Sequence, residues 1–204
     1  MTQADVSDTR LETIYRTVRL EGITPIMFDR YAGDNDTRLA WSQKIYLIPG
    51  TSKLCLPTLN LVSFCTAHNT NSAPKRLLDA RKYKAVANAI LSFVSFESVD
   101  GDTDYIPILK DSTPIEVGDF DDALEPKSGI FLHRSVARLE KGIPNPKERP
   151  VLPLPWAIEF KMTMYKNSEI KEQFLKNLIT DGGRAIGLGT FRGVFGKFAV
   201  TRWD

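Results

Sequence analysis

Two histidines are the side chains with the clearest potential for acid–base chemistry. His68 lies in the polar stretch TAHNTN, and His133 lies in FLHRS. Either imidazole could act as a general acid or base, as in a metal-independent ribonuclease. A turn at His68 and a strand face at His133 explain the two residues without catalysis, and no nucleophile motif accompanies them. We therefore expect a binding protein rather than an enzyme, with His68 as the catalytic alternative.

The sequence does not favour a metal or a cofactor. Aspartates between Asp100 and Asp122 could hold magnesium, but DGDTD lacks the closing glutamate of a twelve-residue calcium loop. Cys55 and Cys65 stand ten positions apart, without the close paired spacing of a zinc site. We expect both cysteines to be reduced and structural.

The stretch GGRAIGLGTFRGVFGKF, residues 182–198, contains six of the thirteen glycines. Because glycine lacks a Cβ atom and tolerates positive φ, such a stretch can bend sharply and let another chain approach its backbone. Free backbone N–H groups then become available to anions. Its order, helix then glycines then strand, differs from a dinucleotide-binding turn, which follows a strand and opens a helix. The alternative is a geometric one, in which these glycines only let the backbone make the connection from the helix to the strand.

Cations and aromatic rings are interleaved with these glycines. Cations neutralise phosphates, whereas rings stack on unpaired bases, so the combination predicts binding of single-stranded nucleic acid. RNA is expected more than DNA. The predicted contacts are Arg134, Arg138, Arg184, Gly187, Gly189, Phe191, Arg192, Phe195 and Lys197.

Charge is divided unevenly along the chain. Residues 126–204 hold fourteen basic and seven acidic side chains, a net charge of +7, whereas residues 1–125 carry −5. Residues 97–125 alone hold ten acids and one base. Such a run is typical of a solvated loop, and we predict an acidic insertion at about 97–128. The two portions could also meet between adjacent copies of the chain, which would make the protein an assembly subunit.

Hydrophobic periodicity predicts a mixed set of helices and strands in one domain, residues 1–204. Ser168 is predicted to cap a helix that stops at Gly182, and IPNPKERPVLPLPW is predicted to be a proline-stiffened connection that is not helical. Strands are predicted in TIYRTVRLEGITPIMF, KIYLIPG, FLHRSV, WAIEFKMTMY and KFAVTRW, with helices after Pro57 and in PKRLLDARKYKAVANAI.

A helix leading into DGGRAIGLGTFRGVFGKFAV and a closing strand resembles the glycine-rich loop of the repeat-associated mysterious protein (RAMP) superfamily. The resemblance is greatest to CRISPR backbone subunits that coat guide RNA. IYLIPGTSKLCLPTLNLVSFCTAH is similar to the Ile-Pro-Gly-Ser-type segment and the helix that follows it in that superfamily. FLHRSVAR and the strand after RPVLPLPW also correspond in order.

The resemblance implies an α+β, ferredoxin-like (RRM-like) fold, with an antiparallel sheet, helices on one face, an insertion and a C-terminal glycine-rich loop. It also implies single-stranded RNA or DNA as partner, together with further copies of the chain or other subunits of a nucleoprotein complex. A phage or mobile-element relative that inhibits such a complex is an alternative. The absence of a long apolar run predicts a cytoplasmic protein with no membrane partner.

Overall fold

The structure is a computed structural model. The structure describes residues 11–34, 36–66, 71–118, 128–138 and 144–204. Within these residues the chain has a mixed α+β architecture with a mostly antiparallel sheet and four α-helices. No helix of the described part has the length and apolar character that crossing a bilayer requires.

The main sheet is built around two long central strands that alternate buried and exposed residues. Val18 and Phe160 are buried and lie opposite each other across the two strands, whereas Tyr15 and Lys161 are exposed on the other face. This alternation leaves one face of the sheet for the core. In the described residues the strands are β1 (Thr13–Gly22), β3 (Cys55–Pro57), β4 (Val94–Ser98), β5 (Tyr105–Lys110), β6 (Thr113–Pro114), β9 (Ala157–Tyr165) and β10 (Phe198–Trp203).

The antiparallel order in the centre of this sheet is β10–β1–β9. Both β4 and β5 pair with the remaining edge of β9, with Ser98 opposite Phe160 and Ile108 opposite Ile158. They therefore behave as one strand interrupted by the turn at residues 99–104. β3 and β6 extend the sheet beyond β5.

Helices cover the buried face of the main sheet. Their apolar residues, such as Phe64, Ile90 and Leu175, join the same core as the buried strand residues. The helices are α1 (Thr58–Cys65), α2 (Ala73–Leu77), α3 (Tyr83–Phe93) and α4 (Glu172–Ala185). The first three lie in the connection from β1 to β4, and α4 lies in the connection from β9 to β10.

A second, three-stranded sheet contains β2 (Ile26–Met27), β7 (Phe131–Arg138) and β8 (Pro144–Leu152), in the order β2–β8–β7. The proline-rich stretch predicted as a connection is therefore largely a strand. Prolines are tolerated because β2 pairs only with Val151 and Leu152, so the Pro144 end of β8 has no second paired strand in the described residues.

One other local prediction is wrong. KIYLIPG does not form a strand: a 3₁₀ turn at Trp41–Lys44 precedes an isolated bridge between Leu47 and Leu54. Within the stretch 97–128, predicted as an acidic insertion, β5 supplies the buried residues Ile106 and Ile108 to the core. Residues 119–127 of that stretch lie outside the described part of the chain.

An ion pair fastens the start of α4 to the sheet. Arg16 donates two hydrogen bonds to the Glu172 carboxylate, at 2.6 and 2.9 Å, and Trp203 donates a third at 2.9 Å. The Arg16 guanidinium and then the Trp203 indole hold the pKa of Glu172 below its ordinary value, against an opposing effect of burial. The folded state therefore favours the charged carboxylate.

Replacing Glu172 with glutamine is expected to lower the free energy of unfolding at pH 7 by about 1 kcal/mol, since the pair is partly exposed and screened. Its contribution is present above the ordinary pKa of a glutamate and is lost as the pH falls through the lowered pKa. Urea unfolding of both proteins should therefore converge in acid. Glu169→Gln, at an exposed neighbour, should have no such effect, and an equal loss in both variants would contradict the assignment.

Candidate nucleic-acid interface

Helix α4 continues through Gly182, which was predicted to stop it, and through the next residue, Gly183. A Cβ atom on Gly182 would lie 2.7 Å from a Phe64 ring atom, and one on Gly183 would lie 2.4 Å from the Phe198 ring. Both positions are buried. These glycines therefore let α4 pack closely against α1 and β10, and the helix ends only at Ala185.

The connection between α4 and β10, residues 186–197, is bonded to itself and to the end of β2. The N–H of Leu188 donates to the Gly196 carbonyl at 2.9 Å, and the N–H of Gly196 donates to the Pro25 carbonyl at 2.7 Å. Thr190 N–H donates to the Met27 carbonyl at 2.9 Å. This connection, called the glycine connection below, is thus a fixed part of the fold.

Three glycines of this connection have positive φ and lie against the protein's own main chain. Gly187 and Gly196 approach each other, and a Cβ atom on Gly196 would lie 2.0 Å from the Leu188 carbonyl oxygen. A Cβ atom on Gly189 would lie 2.5 Å from the Met27 carbonyl oxygen. The close approach that these glycines permit is therefore internal, as the geometric alternative predicts. Gly193, also at positive φ, faces open space.

The tip of the glycine connection presents aromatic rings. Phe191 is 52% exposed, and its ring centroid lies 6.0 Å from that of Phe195. Phe195 in turn makes an edge contact with His133 of β7, with 5.3 Å between ring centroids. His133, Phe195 and Phe191 thus form a continuous series of rings, called the aromatic row below, that joins the second sheet to the tip.

Phe191 has a backbone conformation that stability alone does not favour. Its φ is +53°, in the left-handed region, which strains any residue with a bulky side chain and suits glycine or asparagine. Its carbonyl accepts weak hydrogen bonds from Val194 and Phe195 at 3.4 and 3.3 Å. An exposed phenylalanine held in a strained conformation is an indication of function at the tip.

Arg192 faces inward from the same tip. Its guanidinium donates to the Ser63 hydroxyl at 2.7 Å, to the Asn71 carbonyl at 3.2 Å and to the Gly189 carbonyl at 3.2 Å. Burial lowers the pKa of Arg192 from its ordinary value. The side chain therefore anchors the glycine connection on α1 and on Asn71, just before α2. The phosphate contact predicted for Arg192 stays a prediction.

The other cations predicted for the site are distributed around it. Arg184 is exposed in the last turn of α4, and Lys197 is half-buried where the glycine connection meets β10. Arg134 is exposed on β7 and pairs with Glu148 at 3.0 Å. Arg138 ends β7, and its side chain lies outside what the structure describes.

Only one of the two catalytic candidates, His133, lies in the described part of the chain. His133 contributes to the aromatic row, a role that its sequence neighbours did not indicate. His68 lies outside the described residues. Among the described residues, no three side chains of the metal-binding types lie close enough together to hold an ion.

No known protein-family model matches the sequence, and a search of curated proteins finds no similar chain. The resemblance to the RAMP superfamily therefore stays a prediction.

Proposed function

We infer that the protein binds single-stranded nucleic acid, and RNA in particular, through the aromatic row. The observation that carries this proposal is the exposed ring of Phe191, which continues through Phe195 to His133. Ring faces stack on unpaired bases of any sequence, and such stacking contributes about 1–3 kcal/mol per base. Bases within a duplex are already stacked on each other and offer no free face to the row.

The glycine connection supports this proposal by fixing the row in place. Its hydrogen bonds to Pro25 and Met27 and its internal contacts hold the tip rigid before any ligand binds. A rigid platform loses little conformational entropy on binding. In this proposal Arg184, Lys197, Arg134 and Arg138 supply charge for phosphates, while Gly187 and Gly189 shape the tip.

The proposed fold is ferredoxin-like, which is also the fold of RRM domains. The strand order β10–β1–β9–β4 supports it, because the first strand pairs between the fourth and third strands of this core and the second lies at the far edge. Each of the two crossovers, β1 to β4 and β9 to β10, contains helices. With the sequence resemblance, this order favours a RAMP-like subunit with RNA as its polymer.

Fluorescence anisotropy with a labelled single-stranded RNA of about twelve nucleotides tests the function, since single-strand-binding OB folds of similar size cover about 4–16 nucleotides. We expect binding that weakens between about 50 and 200 mM salt and a clear preference over the same sequence as a duplex. Equal affinity for the duplex would show that bases are not stacked on the row. An absence of any salt-sensitive binding would contradict the proposal entirely.

A further inference from the structure

The half-buried side chain of Arg192 lies between two cavities. One is a polar cavity of about 210 Å³ whose lining includes Ser63 and the carboxylate-bearing Asp29. The other is an open groove of about 350 Å³ between α2 and the glycine connection. The groove is lined by Asn71, Arg76, Leu77, Ala185, Ile186, Arg192 and Gly193. Among the residues that the structure describes, its lining therefore contains two arginines and no acidic residue.

Asn71 connects the two arginines of this groove. Its backbone carbonyl accepts a hydrogen bond from Arg192 at 3.2 Å, and its side-chain oxygen accepts two from Arg76, at 3.0 and 2.6 Å. One neutral residue thus orients both guanidinium groups. Asparagine offers hydrogen bonds without charge, so it positions the arginines and leaves their positive charges uncompensated.

Two like charges held beside one groove repel each other, and burial of one of them increases the energetic cost. Within the described residues, neither Arg76 nor Arg192 makes an ion pair with a carboxylate; every partner is a carbonyl, an amide or a hydroxyl. Such an arrangement is relieved by an anion that binds between the guanidinium groups. The planar guanidinium fork matches the oxygen geometry of phosphate.

We propose that the groove between α2 and the glycine connection is a phosphate-binding site, in which Arg76 and Arg192, oriented by Asn71, bind the oxygens of one phosphate group. Leu77 and Ile186 form apolar walls that limit the groove to a compact anion. The adjoining cavity is excluded as the phosphate site because the Asp29 carboxylate lines it. The site rests on the proposed function only where the phosphate belongs to a nucleic acid.

The C-terminal end of α4 borders the groove, and unsatisfied helix carbonyls there would repel an anion. Two carbonyls at this end accept hydrogen bonds from the protein itself. The Gly182 carbonyl accepts hydrogen bonds from Ile186 and Gly187, at 2.8 and 3.2 Å, and the Ile186 carbonyl accepts one from Gly193 at 2.6 Å. These bonds reduce the negative potential that the helix end presents to the groove, where the two guanidinium groups carry full positive charges.

Arg76→Gln tests the site, and Lys75→Gln is the matched control. Both residues are exposed neighbours on α2, and both substitutions remove one positive charge, but only Arg76 lines the groove. Each variant is titrated with single-stranded RNA carrying either a 5′-phosphate or a 5′-hydroxyl. Arg76→Gln should weaken binding about five- to tenfold and Lys75→Gln by less than about twofold, since only the first loses directed hydrogen bonds to phosphate.

The source of the phosphate follows from the two RNA probes. An equal loss with both probes assigns the groove to an internal phosphodiester, and a loss confined to the 5′-phosphorylated probe assigns it to a terminal phosphate. Equal losses in Arg76→Gln and Lys75→Gln overturn the site, even where the wild-type protein binds RNA and the proposed function stands.

If the wild-type protein binds neither RNA probe, inorganic phosphate replaces them, at an ionic strength held constant with sodium chloride. The site predicts that phosphate shifts the amide signal of Gly193 and the side-chain Nε–H signal of Arg76 in NMR spectra, and that Arg76→Gln abolishes the shift at Gly193 while Lys75→Gln preserves it. That result would support the phosphate site, although the lack of RNA binding contradicts the proposed function. Unchanged spectra would contradict the phosphate site as well.

Discussion

Replacing Gly196 with alanine is expected to destabilise the protein by more than about 3 kcal/mol, a large part of the stability of an ordinary domain. The new Cβ atom would lie 2.0 Å from the Leu188 carbonyl oxygen, and φ is +74°. The clash is with backbone, so a side-chain rotation cannot relieve it. Urea denaturation followed by circular dichroism should show a much lower midpoint or no folded baseline.

Gly193→Ala is the matched control for this substitution. Gly193 also has positive φ, at +94°, but a Cβ atom there meets nothing within 4 Å. Alanine should therefore cost only about 1 kcal/mol, the price of a left-handed conformation. A similar loss in both variants would mean that the glycine connection is not packed against its own backbone.

Replacing Phe191 with alanine is expected to weaken binding of single-stranded RNA about tenfold, because it removes one stacking face from the aromatic row. The ring is 52% exposed, so the free energy of unfolding should change little. Phe195→Ala should weaken binding further, since Phe195 supports Phe191 and contacts His133. Anisotropy titrations at one fixed salt concentration measure both effects.

Two substitutions separate stacking from general surface loss. Val194 lies on the same tip with 55% exposure, so Val194→Ala removes exposed apolar atoms from the tip without removing a ring. Tyr15 is an exposed aromatic residue on the open face of the main sheet, at 69% exposure. Neither variant should lose more than about twofold in affinity, a difference of about 0.4 kcal/mol. A larger loss of RNA affinity in the Tyr15 variant than in the Phe191 variant would place the interface on the open face of the main sheet.

Sequence patterns predicted the elements whose periodicity is local. The alternation in WAIEFKMTMY corresponds to β9, the closing KFAVTRW contains β10, and a helix follows Pro57 as expected. In β9 the alternation also predicts which residues face the core, since Ile158, Phe160 and Met162 are buried. Val18 and Leu20 of the first predicted strand are buried as well, but the end of that stretch, Ile26–Met27, belongs to the second sheet.

The helix end at Gly182 was wrong for a reason that lies elsewhere in the chain. Glycine after a helical stretch usually marks a C-terminal cap. Here the missing Cβ atom accommodates Phe64 of α1, which is distant in sequence. A single sequence does not show which glycines serve a turn and which serve a tight packing contact, so this distinction required the tertiary structure.

The candidate site was only partly predictable for the same reason. Composition indicated that Phe191 and Phe195 lie in an unusual segment, but their contact with His133 of β7 depends on how the second sheet packs. Arg76 and Asn71 were missed because nothing in their sequence neighbourhood connects them with Arg192. The sequence also did not indicate that Arg192 anchors the glycine connection through hydrogen bonds to Ser63, Asn71 and Gly189.

Ultraviolet cross-linking of the wild-type protein to a short single-stranded RNA, followed by mass spectrometry of the linked peptides, tests the central claim most directly. The claim predicts cross-links at Phe191, Phe195 or His133, and their loss in the double variant Phe191→Ala, Phe195→Ala. Cross-links confined to Tyr15 and Tyr165 on the open sheet face, with none in the glycine connection, would contradict it.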